Sequence, residues 1–99
     1  MKIFTLGIAL FTLGLANVAY SGDAAAGKEK SATCVACHGA DGIATQPLTP
    51  NLKGQQEDYF VVAATAYREG TRSNDLMKMF VMSLTDADIE NLAAYYSGL

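Results

Sequence analysis

Cys34-Val35-Ala36-Cys37-His38 (CVACH) is the segment around which the rest of this 99-residue chain is organised. It has the C-x-x-C-H pattern of covalent haem attachment. Two thiols three positions apart on a turn of helix each reach one vinyl group of a haem and form a thioether. The adjacent imidazole of His38 then lies beneath the ring and faces the iron. The sequence therefore predicts one covalently bound haem c, held by Cys34 and Cys37, with His38 as an axial iron ligand.

Three other uses of the cysteine pair explain the chain less well. A thioredoxin-like dithiol needs strands that alternate with helices, and the sequence has no strand pattern. A structural zinc site takes four Cys or His ligands, whereas the chain has two Cys and one His. A disulfide between Cys34 and Cys37 is compatible with an oxidising compartment, but it leaves the position of His38 unexplained. Haem attachment accounts for all three residues.

The N-terminal segment has the layout of a secretory signal peptide. Lys2 supplies a positive start, residues 3–16 are uncharged and mostly apolar, and small residues follow. We therefore predict a signal peptide over residues 1–21 and a mature domain over residues 22–99 in the periplasm, where haem attachment takes place after export. An uncleaved anchor is the alternative, since the segment carries no charge after Lys2. Its apolar part is about 14 residues, however, and a membrane-spanning helix needs about 20.

The predicted mature domain is small and acidic. Its 78 residues include no Trp, and a domain of that size buries too little apolar surface to be stable without a staple or a cofactor. Without Lys2 it has six Lys and Arg against ten Asp and Glu, a net charge of −4. This charge argues against nucleic acid and anionic membranes as partners and favours redox proteins with a basic docking face. We expect no stable membrane insertion once the signal peptide is removed.

Capping residues and apolar periodicity predict an all-α fold. The predicted elements are a helix capped by Asp23 that runs into the Cys34 turn, a helix from Asp58 to Gly70, a Met-rich turn of helix from Asp75 to Val81, and a helix capped by Thr85 and stopped by Gly98. Gly and Pro residues between positions 39 and 50 permit no long regular element there. Loops of this length suit a compact domain when they line a ligand. The prediction is three to four short helices with long loops wrapped around one covalently bound haem.

The mature region resembles the class I c-type cytochromes, in particular the small bacterial single-haem members and the half-domains of di-haem ones. The resemblance covers nearly all of residues 22–99. It rests on three blocks in a specific order: CVACHG with Asp41-Gly42; Pro50-Asn51-Leu52-Lys53-Gly54-Gln55; and Met77 followed by Leu84-Thr85-Asp86 and Leu92-Ala93-Ala94-Tyr95-Tyr96.

This resemblance implies the cytochrome c fold and a support for the iron-binding histidine. In that fold the first and last helices cross, which brings the small residues Ala26 and Gly27 against the region from Leu92 to Tyr96. The carbonyl of Pro50 would accept a hydrogen bond from Nδ1–H of His38, so that Nε2 faces the iron. The alternative is that Pro50 only turns a loop.

The second axial ligand has to come from a residue other than the single His. Apart from Met1, the methionines are Met77, Met79 and Met82, which lie within six positions. Lone methionines are most often flexible core filler, but three in so short a stretch require a further reason. The resemblance places the family's Met ligand just before the last helix. Matching on Leu84-Thr85-Asp86 puts that ligand at Met77, with Met79 as the alternative.

The resemblance further implies electron transport without catalysis by the chain itself. His/Met ligation fills both axial positions of the iron and raises its reduction potential relative to His/His ligation. We therefore expect a one-electron carrier that relays electrons between redox proteins in the periplasm. Two alternatives stay open: a cytochrome subunit of a larger periplasmic oxidoreductase, for example a flavocytochrome, and an enzyme with a five-coordinate haem. The methionine cluster argues against the enzyme.

Overall fold

The structure, a computed structural model, describes residues 22–99 together with Lys2 and Gly7. Apart from those two residues, the predicted signal peptide lies outside the described part. The elements in chain order are α1 (Ala24–Lys30), a 3-10 turn (Ser31–Thr33), α2 (Val35–His38), α3 (Glu57–Glu69), α4 (Asp75–Met82) and α5 (Asp86–Ser97). No strand occurs among the described residues, so the all-α prediction is confirmed.

Side-chain caps fix where the helices begin. The carboxylate of Asp23 accepts hydrogen bonds from the amides of Ala25 and Ala26, at 2.9 and 3.3 Å, and so satisfies donors that α1 leaves open. Thr85 and Asp88 form a reciprocal capping box at the start of α5, each side chain accepting from the other residue's amide. These local signals explain why the predicted helix starts agree with the structure to within one residue.

The segment that enters the cysteine motif is more broken than the sequence analysis predicts. The expected continuous first helix is divided into α1, a 3-10 turn and the one-turn helix α2, so that residues 22–99 form five α-helices where three to four were expected. The hydroxyl of Ser31 donates to the Lys28 carbonyl at 2.6 Å, and the amide of Cys34 donates to the Ser31 carbonyl at 2.8 Å. Bonds of this short range tighten the backbone into a 3-10 turn. The 3-10 turn therefore separates α2 from α1 as an independent short helix.

The α1–α5 crossing predicted from the family resemblance is confirmed. Gly27 is the buried residue of α1, and a methyl group at this position would overlap the carbonyl group of Asn91. A hydrogen bond from the amide of Asp23 to Oδ1 of Asn91 (2.8 Å) and an ion pair between Lys30 and Asp88 (3.4 Å) join the same two helices. The absence of a side chain on Gly27 therefore sets how closely α1 approaches α5.

Protein side chains alone make a small apolar core. Its buried apolar residues are Val81 of α4 and Ile89, Leu92, Ala93 and Tyr96 of α5. By contrast, α3 contributes no buried residue along its thirteen positions. Within residues 22–99 no helix is both long enough and apolar enough to cross a membrane.

Candidate haem-binding site

The two cysteines lie at the two ends of one helical turn. Cys34 is the N-cap residue of α2 and Cys37 is in its last turn, and the amides of Cys37 and His38 both donate to the Cys34 carbonyl, at 3.4 and 2.9 Å. Both thiols are free and half-buried. Burial raises the pKa of the Cys34 thiol, so this sulfur stays protonated near neutral pH.

His38 is oriented by the backbone of a distant loop. Its side chain is buried, with 7% of the residue exposed, and Nδ1 lies 2.8 Å from the carbonyl oxygen of Pro50. A carbonyl oxygen only accepts hydrogen bonds, so Nδ1 must donate and carry the ring proton. In the neutral ring this arrangement puts the free lone pair on Nε2, the atom through which such a histidine would ligate a metal. The contact that the resemblance implied is therefore present in the fold.

The loop between His38 and Pro50 is held in shape by backbone and amide contacts. The carbonyl of Gly42, a residue with φ of 78°, accepts from the amides of Leu52 and Lys53 at 2.8 and 3.0 Å. The side chain of Asn51 accepts from the amide of Ala44 at 2.7 Å. Asn51 had no predicted role, although an Asn directly after a Pro in a Gly-rich loop is typical of such turn-stabilising contacts.

The three methionines differ in burial. Met79 and Met82 are 60% and 58% exposed, whereas Met77 is half-buried. Met77 also lies one helical turn before Val81, the buried residue of α4, so the two share the inner face of that helix. Asn74 caps α4 by accepting a hydrogen bond from the amide of Met77 at 3.0 Å. Of the three thioethers, the one on Met77 is therefore the one directed towards the protein interior.

The surrounding residues fit a large apolar ring better than a bare metal ion. The helices α3 and α4 carry large apolar side chains that the protein does not cover, among them Val62 (65% exposed), Leu76 (63%) and Phe80 (39%). Next to Cys34, the buried hydroxyl of Tyr96 has no hydrogen-bond partner among the described residues. Those residues also contain no cluster of three or more His, Cys, Asp or Glu side chains arranged for a metal. A porphyrin iron needs only two ligands from the protein, and the porphyrin covers apolar surface.

Two arginines near the ends of helices have partners of their own. Arg68 in α3 forms an ion pair with Asp86 of α5, with 2.6 Å between its Nη2 and Oδ1. Arg72 lies over the ring of Tyr67 at 4.3 Å from the ring centroid, a cation–π contact. These contacts link α3 to α5 and to the segment that follows α3.

Comparison with known proteins agrees with this geometry. The family model for Cytochrome c matches residues 24–99. Cytochrome c-554(548) from Halomonas halodenitrificans is 49% identical over 80 residues, which cover 78% of this chain and 96% of that protein. Cytochrome c4 from Pseudomonas aeruginosa is 43% identical over 89 residues, covering 89% of this chain and 44% of that protein. A protein named thiosulfate dehydrogenase electron acceptor, from Thiomonas intermedia, is 34% identical over 93% of this chain and 43% of its own length.

Solved structures give the same result for the fold. Reduced cytochrome c4 from Pseudomonas stutzeri superimposes with a TM-score of 0.72 at 38% identity, over 77% of this chain and 45% of that one. The chain thus spans almost all of the Halomonas protein and about half the length of the c4 relatives.

The chain belongs to the cytochrome c family, because the family model matches three quarters of it. Together with the spacing of Cys34 and Cys37, this membership shows that it carries one covalently bound haem c. Its function class is electron transport, and it has the all-α cytochrome c fold, which matches about half of each cytochrome c4 chain.

Proposed function

We propose that this protein is a periplasmic one-electron carrier whose haem iron is six-coordinate, with His38 on one side and Met77 on the other. The observation that carries the proposal is the state of His38, whose Nδ1 is committed to the Pro50 carbonyl at 2.8 Å. In the neutral imidazole that contact assigns the proton to Nδ1 and makes Nε2 the nitrogen that can bind the iron. The inward position of Met77 on α4 supports the second half of the assignment.

Each residue of the proposed site has a separate task. Cys34 and Cys37 add their thiols across the two vinyl groups, each S–H and C=C becoming a C–S and a C–H bond. His38 and Met77 then hold the iron, which supplies one-electron Fe(II)/Fe(III) chemistry. Soft thioether sulfur favours the ferrous state, so His/Met ligation gives a higher reduction potential than two histidines. With both axial positions filled by protein, oxygen and peroxide find no open site, which favours electron relay over catalysis.

The proposed location follows from the N-terminal segment, and the proposed partners follow from the net charge of the mature domain. Residues 1–21 have the order of a secretory signal, and the remaining 78 carry a net charge of −4. An acidic carrier associates faster with partners that present a basic face, and this attraction is screened by salt. Electron-transfer rates with such a partner should therefore fall as ionic strength rises.

The axial ligand is tested by comparing Met77→Ala with Met79→Ala. The wild-type holoprotein should be low-spin in both oxidation states, should bind carbon monoxide poorly, and when oxidised should show the near-red sulfur-to-iron absorption band. Met77→Ala should lose that band and bind carbon monoxide readily, since a coordination position opens. Met79→Ala, a matched change two residues away on the exposed side of α4, should keep the wild-type spectrum.

The reverse outcome would assign the ligand to Met79. Carbon monoxide binding by the wild-type protein as fast as by Met77→Ala would instead support the five-coordinate enzyme. Haem staining of denaturing gels is the control, because each variant must still carry covalent haem for its spectrum to be compared. Retention of haem by a Cys34→Ala, Cys37→Ala double variant on such gels would remove the basis for the attachment itself.

A second candidate function is supported by one relative. The Thiomonas intermedia protein named as a thiosulfate dehydrogenase electron acceptor covers 93% of this chain, which favours service to one particular oxidoreductase. Isolation from the periplasm under low salt separates the two possibilities. In size-exclusion chromatography a free carrier elutes alone, at the size of its own domain. A dedicated subunit elutes together with an enzyme, in a fixed stoichiometric ratio, and that enzyme reduces its haem.

A further inference from the structure

Two buried side-chain oxygens have no hydrogen-bond partner among the described residues, Oε1 of Glu57 and the hydroxyl of Tyr96; of these two residues, Tyr96 is the fully buried one. Only 1% of Tyr96 is exposed, and its hydroxyl has no hydrogen-bond partner among the described residues. Leaving such a group without a partner destabilises a protein, and native folds rarely contain one. Phenylalanine would fill nearly the same space without this penalty.

The ring of Tyr96 is held rigidly on α5. It stacks on Phe60 of α3, with centroids 5.7 Å apart and ring planes 22° apart, and it contacts Tyr95 at 5.1 Å. Its own carbonyl accepts a hydrogen bond from the amide of Gly54 at 2.8 Å. The position of the hydroxyl is therefore set by two helices and a loop, and the group cannot swing out to solvent.

The sulfur of Cys34 is close enough to this hydroxyl for each group to affect the pKa of the other, and the side chain of Ser31 also lowers the pKa of Tyr96. The exposed hydroxyl of Thr33 lies 4.0 Å from the same sulfur. The Ser31 hydroxyl already donates to the Lys28 carbonyl at 2.6 Å. Burial raises the pKa of Tyr96 well above its usual range, so the hydroxyl keeps its proton at any physiological pH.

The hydrogen-bonding capacity of the sulfur changes when haem is attached. A thiol is both a weak donor and a weak acceptor, whereas a thioether has no proton and only accepts. Tyr96 is the buried donor beside this sulfur that lacks another acceptor. Covalent attachment therefore leaves the Cys34 sulfur as an acceptor only, which suits a neighbouring hydroxyl that has a proton to donate.

We propose that Tyr96 is a positioning residue for the haem. Its hydroxyl donates a hydrogen bond to the Cys34 thioether sulfur and so holds this covalent link against α5. The inference rests on the proposed attachment of haem through Cys34. Donation into the sulfur withdraws electron density from the edge of the porphyrin. The hydrogen bond consequently favours the reduced, ferrous state of the haem iron, as the proposed Met77 ligand also does.

The experiment is the Tyr96→Phe variant of the holoprotein, with Tyr95→Phe as the matched control on the same helix. Tyr96→Phe should keep covalent haem, because attachment needs only the two cysteines, and it should lower the Tm of the holoprotein slightly, because it removes the proposed hydrogen bond of a buried hydroxyl. At a fixed ambient potential its reduced-to-oxidised ratio should fall about twofold, the size of one weak hydrogen bond. In resonance Raman spectra, the wild-type C–S stretching band should shift when water is replaced by deuterium oxide. That shift should be absent in Tyr96→Phe and present in Tyr95→Phe.

A double-mutant cycle with Cys34→Ala isolates the contact. In Cys34→Ala, where the haem keeps only the Cys37 thioether, adding Tyr96→Phe should leave the reduced-to-oxidised ratio unchanged. An equal effect of Tyr96→Phe with and without Cys34, or an unchanged ratio in the single variant, would overturn the positioning role. Either result leaves the carrier function intact, whereas a wild-type protein without covalent haem would refute the carrier proposal itself.

Discussion

Replacing Gly27 by alanine tests the packing that places the cysteine motif beside α5. Two effects of opposite sign compete at this position. Alanine is favoured over glycine inside a helix by about 1 kcal/mol, because the unfolded glycine chain is more flexible. Against this, the added methyl group would overlap the Asn91 carbonyl group and would lie 2.9 Å from Cβ of Tyr95. The obstructing carbonyl belongs to the backbone of α5 and cannot rotate away.

The steric effect should exceed the gain in helix propensity. Overpacking of a tight contact costs about 1–3 kcal/mol, and a backbone obstacle belongs at the upper end of that range. The net change should be a loss of about 2 kcal/mol in the free energy of unfolding. For a domain of this size that lowers Tm by roughly 10 °C. The measurement is thermal and urea unfolding of the holoprotein, followed by far-ultraviolet circular dichroism.

Gly98→Ala is the matched control. Gly98 has φ of −88°, which alanine adopts readily, and an added methyl group would come no closer than 3.5 Å to another atom. We expect this variant to be neutral or stabilising by up to about 1 kcal/mol. If Gly27→Ala raised Tm as Gly98→Ala does, helix propensity would outweigh the contact, and the close α1–α5 approach would not be what fixes this part of the fold.

Three further predictions concern the side chains that cap the N-terminal ends of α4 and α5. Thr85→Ala removes the side-chain acceptor of the Asp88 amide at 3.1 Å and should lower the free energy of unfolding by about 1 kcal/mol, seen by urea titration, while Thr85→Ser should recover most of the loss. The hydrogen bond from the Thr85 amide holds the pKa of Asp88 below its usual value, so the stabilisation by Asp88 is full above about pH 4 and disappears as the pH falls through the lower folded pKa. The Tm of wild type should accordingly exceed that of Asp88→Asn at neutral pH and converge with it in strong acid; a constant difference would contradict the assignment. Asn74→Ala removes the cap at the Met77 amide and should increase the fraction of protein that binds carbon monoxide, with unchanged haem staining.

Local signals in the chain predicted most of the fold. Asp23 and Thr85 lie directly before their helices, and Gly70, which ends α3 with φ of 83°, is where the sequence analysis placed that end. The division of the first helix was missed because Ser31 is compatible with a helix, and its hydrogen bond to the Lys28 carbonyl changes the local geometry only once the chain is folded.

The haem-binding residues were predicted to different degrees. Cys34, Cys37 and His38 form a contiguous motif, so their assignment required no knowledge of long-range packing. Met77 and Met79 are two residues apart, and the sequence separated them only by resemblance to the family. The exposure of Met79 and the shared face of Met77 and Val81 appear only when α4 packs against the domain.

The sequence by itself determined the chemistry of attachment and the starts of the helices, because both depend on residues adjacent in the chain. Packing of distant segments brought the Pro50 carbonyl to the ring of His38 and buried the Tyr96 hydroxyl near the sulfur of Cys34. Burial creates the requirement for a partner in each case, since a polar group in water needs none. No pattern within either segment specifies those pairs, and the close approach of α1 to α5 at Gly27 is part of the packing that brings Tyr96 to the cysteine motif.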